Sequence, residues 1–269
     1  MTEVAYNHDD VIGEVVSLTE PTIAAGVNRT DVSLIVSHCL TSRGVNPNQQ
    51  LTLVVSEKTH ATLLDTIMTS CMINQLLREG YIDYRVKENV SDRIIATSDE
   101  AICLQGQADH VFRAPSSQCS SVFQSYSERL PESSGTELGS ITLSQLNISA
   151  KRFLGDKFQD ILGATNVPFA KTEPLFEHPG RYFVSYIMLL AAYVGIEYKH
   201  VREFIRHHDI RSERIISLVK SELVSKTSLY YSKDTSSGQK SLHCVGLDNR
   251  PPESDLDEWI VSTLRSLDC

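Results

Sequence analysis

The chain has 269 residues, 41% hydrophobic and 22% charged, with 25 Lys and Arg against 34 Asp and Glu for a formal net charge of −9. Such proportions predict a soluble globular protein with a real core, long enough for two ordinary domains. No run approaches roughly 18 consecutive apolar residues, and the opening stretch MTEVAYNHDD is acidic and polar, which argues against a membrane span or signal peptide and for a cytoplasmic protein.

Residues 1–30 show little periodicity and are expected to form a short helix or a partly ordered arm. "TDVSLIVSHC" (30–39) reads as a first helix or strand, and "NPNQQ" (46–50) as turn chemistry. "LTLVVS" (51–56) has the short apolar run of a buried strand. One helix is then predicted over 57–80, with Leu63, Leu64, Ile67, Cys71, Ile73, Leu76 and Leu77 at helical spacing and Gly80 at its C-cap. "YIDYRVKE" (81–88) alternates like a strand, and "RIIATSDEAICLQG" (93–106) reads as a hairpin turning at Ser98-Asp99. A strand–helix–strand order with a crossover of that length suits a parallel pair. These elements predict an α/β sensor or dimerisation domain over 1–113.

Residues 114–180 are expected to be a linker. The 114–140 stretch is rich in Ser, Pro and Gly with a short helix over Val122–Leu130, and an amphipathic helix comes next at 148–164. Residues 181–195 are apolar nearly all round, as a helix inside a small bundle must be. A second helix over 197–209 puts Val201, Phe204 and Ile205 on one side and Lys199, Arg202 and Arg206 on the other. Ser212 is a good N-cap or first-turn residue for a third helix running to about Lys226. On a helical wheel Ile215, Ile216, Val219 and Leu223 share one face of it; Arg211, Arg214, Ser217, Leu218, Ser221 and Ser225 share the other. "SLYYS" (228–232) and "KSLHCVGL" (240–247) then form a hairpin with Lys233 and Lys240 near its tip. Three helices and a β-hairpin is the order of a winged helix–turn–helix, here over 181–247. A tail (248–269) with an amphipathic helix, Leu256–Leu267, either pairs or folds back.

Charge is divided in the same way. Residues 196–240 carry nine Lys and Arg against six Asp and Glu, so they are +3 while the remainder is −12. An acidic body with one basic module fits a polyanion bound at one place. In a winged helix the third helix enters the major groove and the wing meets the backbone or adjacent minor groove. The expected DNA-binding residues are therefore Arg211, Ser212, Arg214, Ser217, Leu218, Lys220, Ser221, Ser225, Lys233 and Lys240. Arginine can take guanine O6 and N7, hydroxyls reach phosphates or bases, and leucine can meet a thymine methyl. The alternative is a winged helix that docks on protein in a larger assembly.

With these elements in place, the chain resembles the TbsP-type transcriptional regulators of haloarchaea. The likeness lies in element order and pattern over roughly 30–247, through "LTLVVS…RIIATSDEAICLQG", "LGDKFQDILG" and "SYIMLLAAYVGIEYKHVREFIRHHDIRSERIISLVKSELVSK". The front half also looks like the sugar-sensing half of TrmB-type regulators, which is related to the phospholipase D fold. The resemblance implies an archaeal DNA-binding repressor or activator, a homodimer whose recognition residues lie on the exposed face of helix 211–226. It leaves open a small-molecule effector, since no cluster in the front half identifies one.

Catalytic signatures are missing. No HxK occurs, which phospholipase D chemistry requires together with a downstream Asp, and there is no GxSxG, HExxH, P-loop or GxGxxG. His207 and His208 point about 100° apart on a helix, which suits a polar, cationic helix end better than a metal site. His38–Cys39 and His243–Cys244 lack a visible orienting partner for catalysis. Six scattered cysteines without a CxxC suggest reduced, mostly buried thiols. No enzymatic activity, metal or cofactor is expected.

Overall fold

The structure is a computed structural model. It describes residues 8–16, 20–42, 51–105, 110–131, 138–139, 141–173, 179–208, 213–226, 229–233, 240–244 and 251–267. The fold is α/β and divides into two compact units: Met1–Asp65 with Thr69–Thr142, and Thr66–Met68 with Leu143–Cys269.

The first unit is built on a six-stranded mixed sheet. Its elements in chain order are α1 (His8–Val15), β1 (Thr22–Ala25), α2 (Arg29–Ser42), β2 (Leu51–Ser56), α3 (Glu57–Leu64), α4 (Ile67–Arg78), β3 (Ile82–Lys87), β4 (Ile94–Ala96), β5 (Ala101–Gln105), β6 (His110–Arg113) and α5 (Ser116–Ser127). The strand order is β3-β2-β1-β4-β5-β6. β1 pairs parallel to β2 and β2 parallel to β3, while β4, β5 and β6 run antiparallel to their predecessors in the sheet.

The parallel pair expected from the crossover is present, and β2 has the bounds its apolar run suggested. β4 and β5 form a hairpin, as expected. The helix over 57–80 is two, however. Asp65 closes α3, and α4 starts at Ile67. Leu64, placed on the apolar face by sequence, lies half exposed at that break. Ser56 caps α3 by accepting from Thr59 N–H at 3.1 Å.

Two strands that the sequence pattern did not announce complete the sheet. β1, inside the stretch expected to be a helix or an arm, lies within the sheet between β2, to which it is parallel, and β4, to which it is antiparallel, and all four of its residues are buried. β6 is the antiparallel edge. Ile23, Ala25, Val54, Ile94, Ala96, Ala101 and Cys119 form a core under α5, joined by Val122, Phe123, Tyr126 and Leu130. The expected linker therefore begins with a helix that covers a sheet face, at Ser116–Ser127 rather than Val122–Leu130. The alternate residues Ala24, Leu53, Val55, Ile95 and Ile102 are buried on the other face, where His60 of α3 meets the Tyr84 hydroxyl at 3.0 Å. A sheet covered on both sides gives up in–out alternation, which hid β1 from a pattern reading.

The second unit contains α6 (Leu143–Leu154), α7 (Asp156–Thr172), α8 (Pro179–Val194), α9 (Tyr198–His207), α10 (Glu213–Lys226), β7 (Leu229–Lys233), β8 (Lys240–Cys244) and α11 (Leu256–Arg265). The single amphipathic helix expected at 148–164 is the end of α6 and the start of α7. They are separated by Gly155 at φ +90°, a conformation that breaks helical continuity and costs a residue with a Cβ. α8 is the core element: every residue from Tyr182 to Ala192 is buried. It packs against α7, α9, α10, α11 and β8. Phe169 of α7 stacks on Tyr186 with ring centroids 4.2 Å apart. β7 and β8 form an antiparallel hairpin that packs on α8, α9 and α10.

Among the described residues, Cys39 and Cys119 are buried free thiols, and burial pushes Cys39 up to about 12. No helix among the described residues is long and apolar enough to cross a membrane.

Candidate nucleic-acid interface

The amphipathic sequence of α10 determines what it hides. Ile216, Val219 and Leu223 are fully buried, with Ile215 half-buried beside them. Directly opposite, at helical spacings of four, three and four residues, lie Arg214, Leu218, Ser221 and Ser225, all exposed. Arg214 has no ion-pair or side-chain hydrogen-bond partner among the described residues. Ser221 donates to the Ser217 carbonyl at 3.0 Å and Ser225 to the Glu222 carbonyl at 3.1 Å. Both hydroxyl oxygens therefore keep acceptor capacity toward solvent.

Ser217 and Lys220 belong to a different contact. Ser217 is exposed yet hydrogen-bonds Tyr198 of α9. The Lys220 ammonium lies 5.3 Å from the centre of the Tyr198 ring, which Arg202 also approaches, at 5.8 Å. Burial raises the Tyr198 phenol above its ordinary value. These two expected DNA contacts thus sit on the side of α10 turned toward α9, not in the outward stripe.

The sequence reading missed Glu213. This first-turn residue of α10 accepts from Arg202 at 2.8 Å and from Arg206 Nε at 2.5 Å. Desolvation is the largest single influence and favours its neutral form, but the hydrogen bonds and charges of the two arginines together outweigh it and hold its pKa below the usual value. This one carboxylate therefore offsets one of the two positive charges that Arg202 and Arg206 bring to the basic module. Arg202 and Arg206 are four apart on α9, a spacing that puts both on one face and could have flagged a shared acidic partner. At the other end of the helix, Arg181 of α8 meets Glu222 at 2.5 Å, and Lys226 Nζ reaches the Leu267 carbonyl at 3.5 Å.

His208, just past the end of α9, differs from the expected cationic helix end. His208 Nε2 lies 2.6 Å from the Ser149 hydroxyl of α6, and its ring meets Phe204 edge-on at 4.9 Å. Burial, helped by the neighbouring His207 charge, lowers it to about 4. It is a neutral packing residue near pH 7. His207 packs its ring 5.0 Å from Phe153. Arg211 and Ser212 lie outside the described residues. Lys233 and Lys240 are paired across the hairpin at the ends of β7 and β8 next to its tip.

No protein-family model, curated protein or solved structure matches this chain.

Proposed function

We propose that this protein binds duplex DNA sequence-specifically through its second unit, a winged helix–turn–helix in which α8, α9 and α10 are the three helices and β7–β8 the wing. The observation that carries this reading is the outward stripe of α10. It joins Arg214, unpartnered among the described residues, to Leu218, Ser221 and Ser225, on a helix whose opposite face is anchored in the core. A solvated face of ordinary composition would be rich in Lys and Glu. Arginine, small hydroxyls and one leucine offer instead a guanine fork, phosphate or base contacts and a partner for a thymine methyl. The Lys233–Lys240 pair next to the hairpin tip suits a backbone contact beside the groove. Element order also agrees with the TbsP-type resemblance, under which the protein is a transcriptional regulator. A homodimer would present two α10 helices about 34 Å apart to a palindromic site.

The competing reading is a protein-docking winged helix. It draws on Leu218 and Val224, large apolar residues exposed on α10, and on the pairing of Arg202 and Arg206 with Glu213. Fluorescence anisotropy of the full chain on duplex DNA from its own upstream region, over a salt series and against random duplex, separates the two. The DNA-binding reading expects affinity that falls steeply with salt and exceeds the random control by about a thousandfold or more. No binding at low salt would transfer the stripe to a protein partner.

A further inference from the structure

The first unit holds a cavity of about 190 Å³ at the carboxyl ends of its parallel strands. Its floor is Ala25 of β1 and Val54 of β2, and Lys87 closes β3 beside it. The segment after β3 supplies Asn89, Val90, Ser91 and Asp92. Ser125 and Tyr126 come from the last turn of α5, and Arg129 and Leu130 from just beyond it. In sheets of this kind, the crevice beyond the strand ends is where small ligands are taken up.

The walls are held in place before any ligand arrives. Gly26, at φ +66°, lets the 88–92 segment cross the end of β1: a Cβ there would lie 2.0 Å from the Asp92 carbonyl oxygen. Arg93, next in the chain, grips the fully buried Asp31 with hydrogen bonds of 2.8 and 2.9 Å from one terminal nitrogen. Asp31 in turn accepts from Asn28 N–H at 2.8 Å, and Asn28 from Asp31 N–H at 2.9 Å, so the clamp is also the cap of α2. On the opposite wall the Tyr126 hydroxyl donates to Asp92 at 2.9 Å. Burial and the Asp92 charge push that phenol up to about 12, so it keeps its proton.

The lining carries two cations, Lys87 and Arg129, both exposed at the rim and in no ion pair among the described residues. Its one carboxylate, Asp92, is bound to Tyr126. Polar groups able to meet hydroxyls line the rest, from Asn89, Ser91, Ser125 and the free lone pairs of Asp92. The volume equals about six waters at liquid density, enough for a molecule of a few carbons.

We propose that this cavity binds a small hydroxylated organic anion, with its carboxylate or phosphate between Lys87 and Arg129 and its hydroxyls toward Asn89, Ser91 and Asp92. The site stands independently of what α10 contacts. Isothermal titration calorimetry of the full chain with glycerol 3-phosphate, glycerate, neutral glycerol and inorganic phosphate tests it. One of the two organic anions is expected to bind, with glycerol silent and inorganic phosphate weaker. The Lys87→Ala and Arg129→Ala variants should each lose about tenfold or more in affinity. Both side chains are exposed, so unchanged thermal melting of the variants will show that the fold is intact. Binding that survives both substitutions, no heat from either organic anion, or inorganic phosphate binding as tightly as glycerol 3-phosphate would each overturn the proposal.

Discussion

α8 and α10 are neighbours in one unit and nearly equal in length, at 16 and 14 residues, yet their side chains meet opposite fates. α8 is enclosed on every side from Tyr182 to Ala192, while α10 buries only Ile216, Val219 and Leu223. One helix is a scaffold and the other presents a surface. The two pack on each other, and the Arg181–Glu222 ion pair ties the first turn of α8 to the C-terminal half of α10 without using the outward stripe. Under the proposed reading, stability belongs to α8 and recognition to α10, and substitutions should separate the two.

The largest effect belongs to the scaffold. Phe183 is fully buried and meets the Phe169 ring edge-on. Phe183→Ala should lower the unfolding free energy by about 3–5 kcal/mol in urea titration. On α10, Arg214→Ala should leave that value within about 0.5 kcal/mol and weaken specific DNA binding by about 1–3 kcal/mol in anisotropy titrations. Equal losses of stability from the two would erase the distinction.

A smaller effect is set by acid. The His208 imidazole titrates at 6.5 when unperturbed and at about 4 in the fold. Between those values the unfolded chain binds more protons than the folded one. Stability is thus fully present above about pH 6.5 and declines as pH falls toward 4. The residue is only half-buried, so solvent screening reduces its share to on the order of 1–2 kcal/mol. Urea titrations at pH 7 and pH 4.5 should show that loss, and His208→Gln should remove that share of it.

Smallest in stability terms is Glu213→Gln, which cuts an exposed ion-pair network worth about 1 kcal/mol or less. Its informative consequence lies in binding. Freeing Arg202 and Arg206 should raise affinity for random duplex and steepen the salt slope by about one to two. An unchanged slope would mean that neither arginine lies near phosphate.

How far sequence reached into this molecule depended on where the physical signal was local. β2 was readable because a run of buried aliphatics between polar turns is complete in itself. β1 was not: TIAA, preceded by Pro21, is a strand only because β2 and β4 pair with it and both its faces are covered. The break between α6 and α7 was visible as Gly155 within FLGDKF, but helical spacing continued across it and masked the glycine. The exposed stripe of α10 was legible on a helical wheel, since buried and exposed faces are both encoded at 3.6-residue spacing. The turning of Ser217 and Lys220 toward Tyr198, and the capture of Arg202 and Arg206 by Glu213, arise where two helices meet and carry no local signature. Wheel positions alone did not show that Ser217 and Lys220 meet Tyr198, or that Arg202 and Arg206 share Glu213.

The most direct test places one negative charge in the middle of the stripe. Ser221 is exposed and, among the described residues, bonded only to its own helix backbone, and glutamate is the better helix former. Ser221→Glu should therefore melt within a few degrees of the parent. If the outward face of α10 meets DNA, this variant should bind the upstream duplex at least about tenfold more weakly at moderate salt. Undiminished binding by a stably folded Ser221→Glu protein would contradict contact through this face.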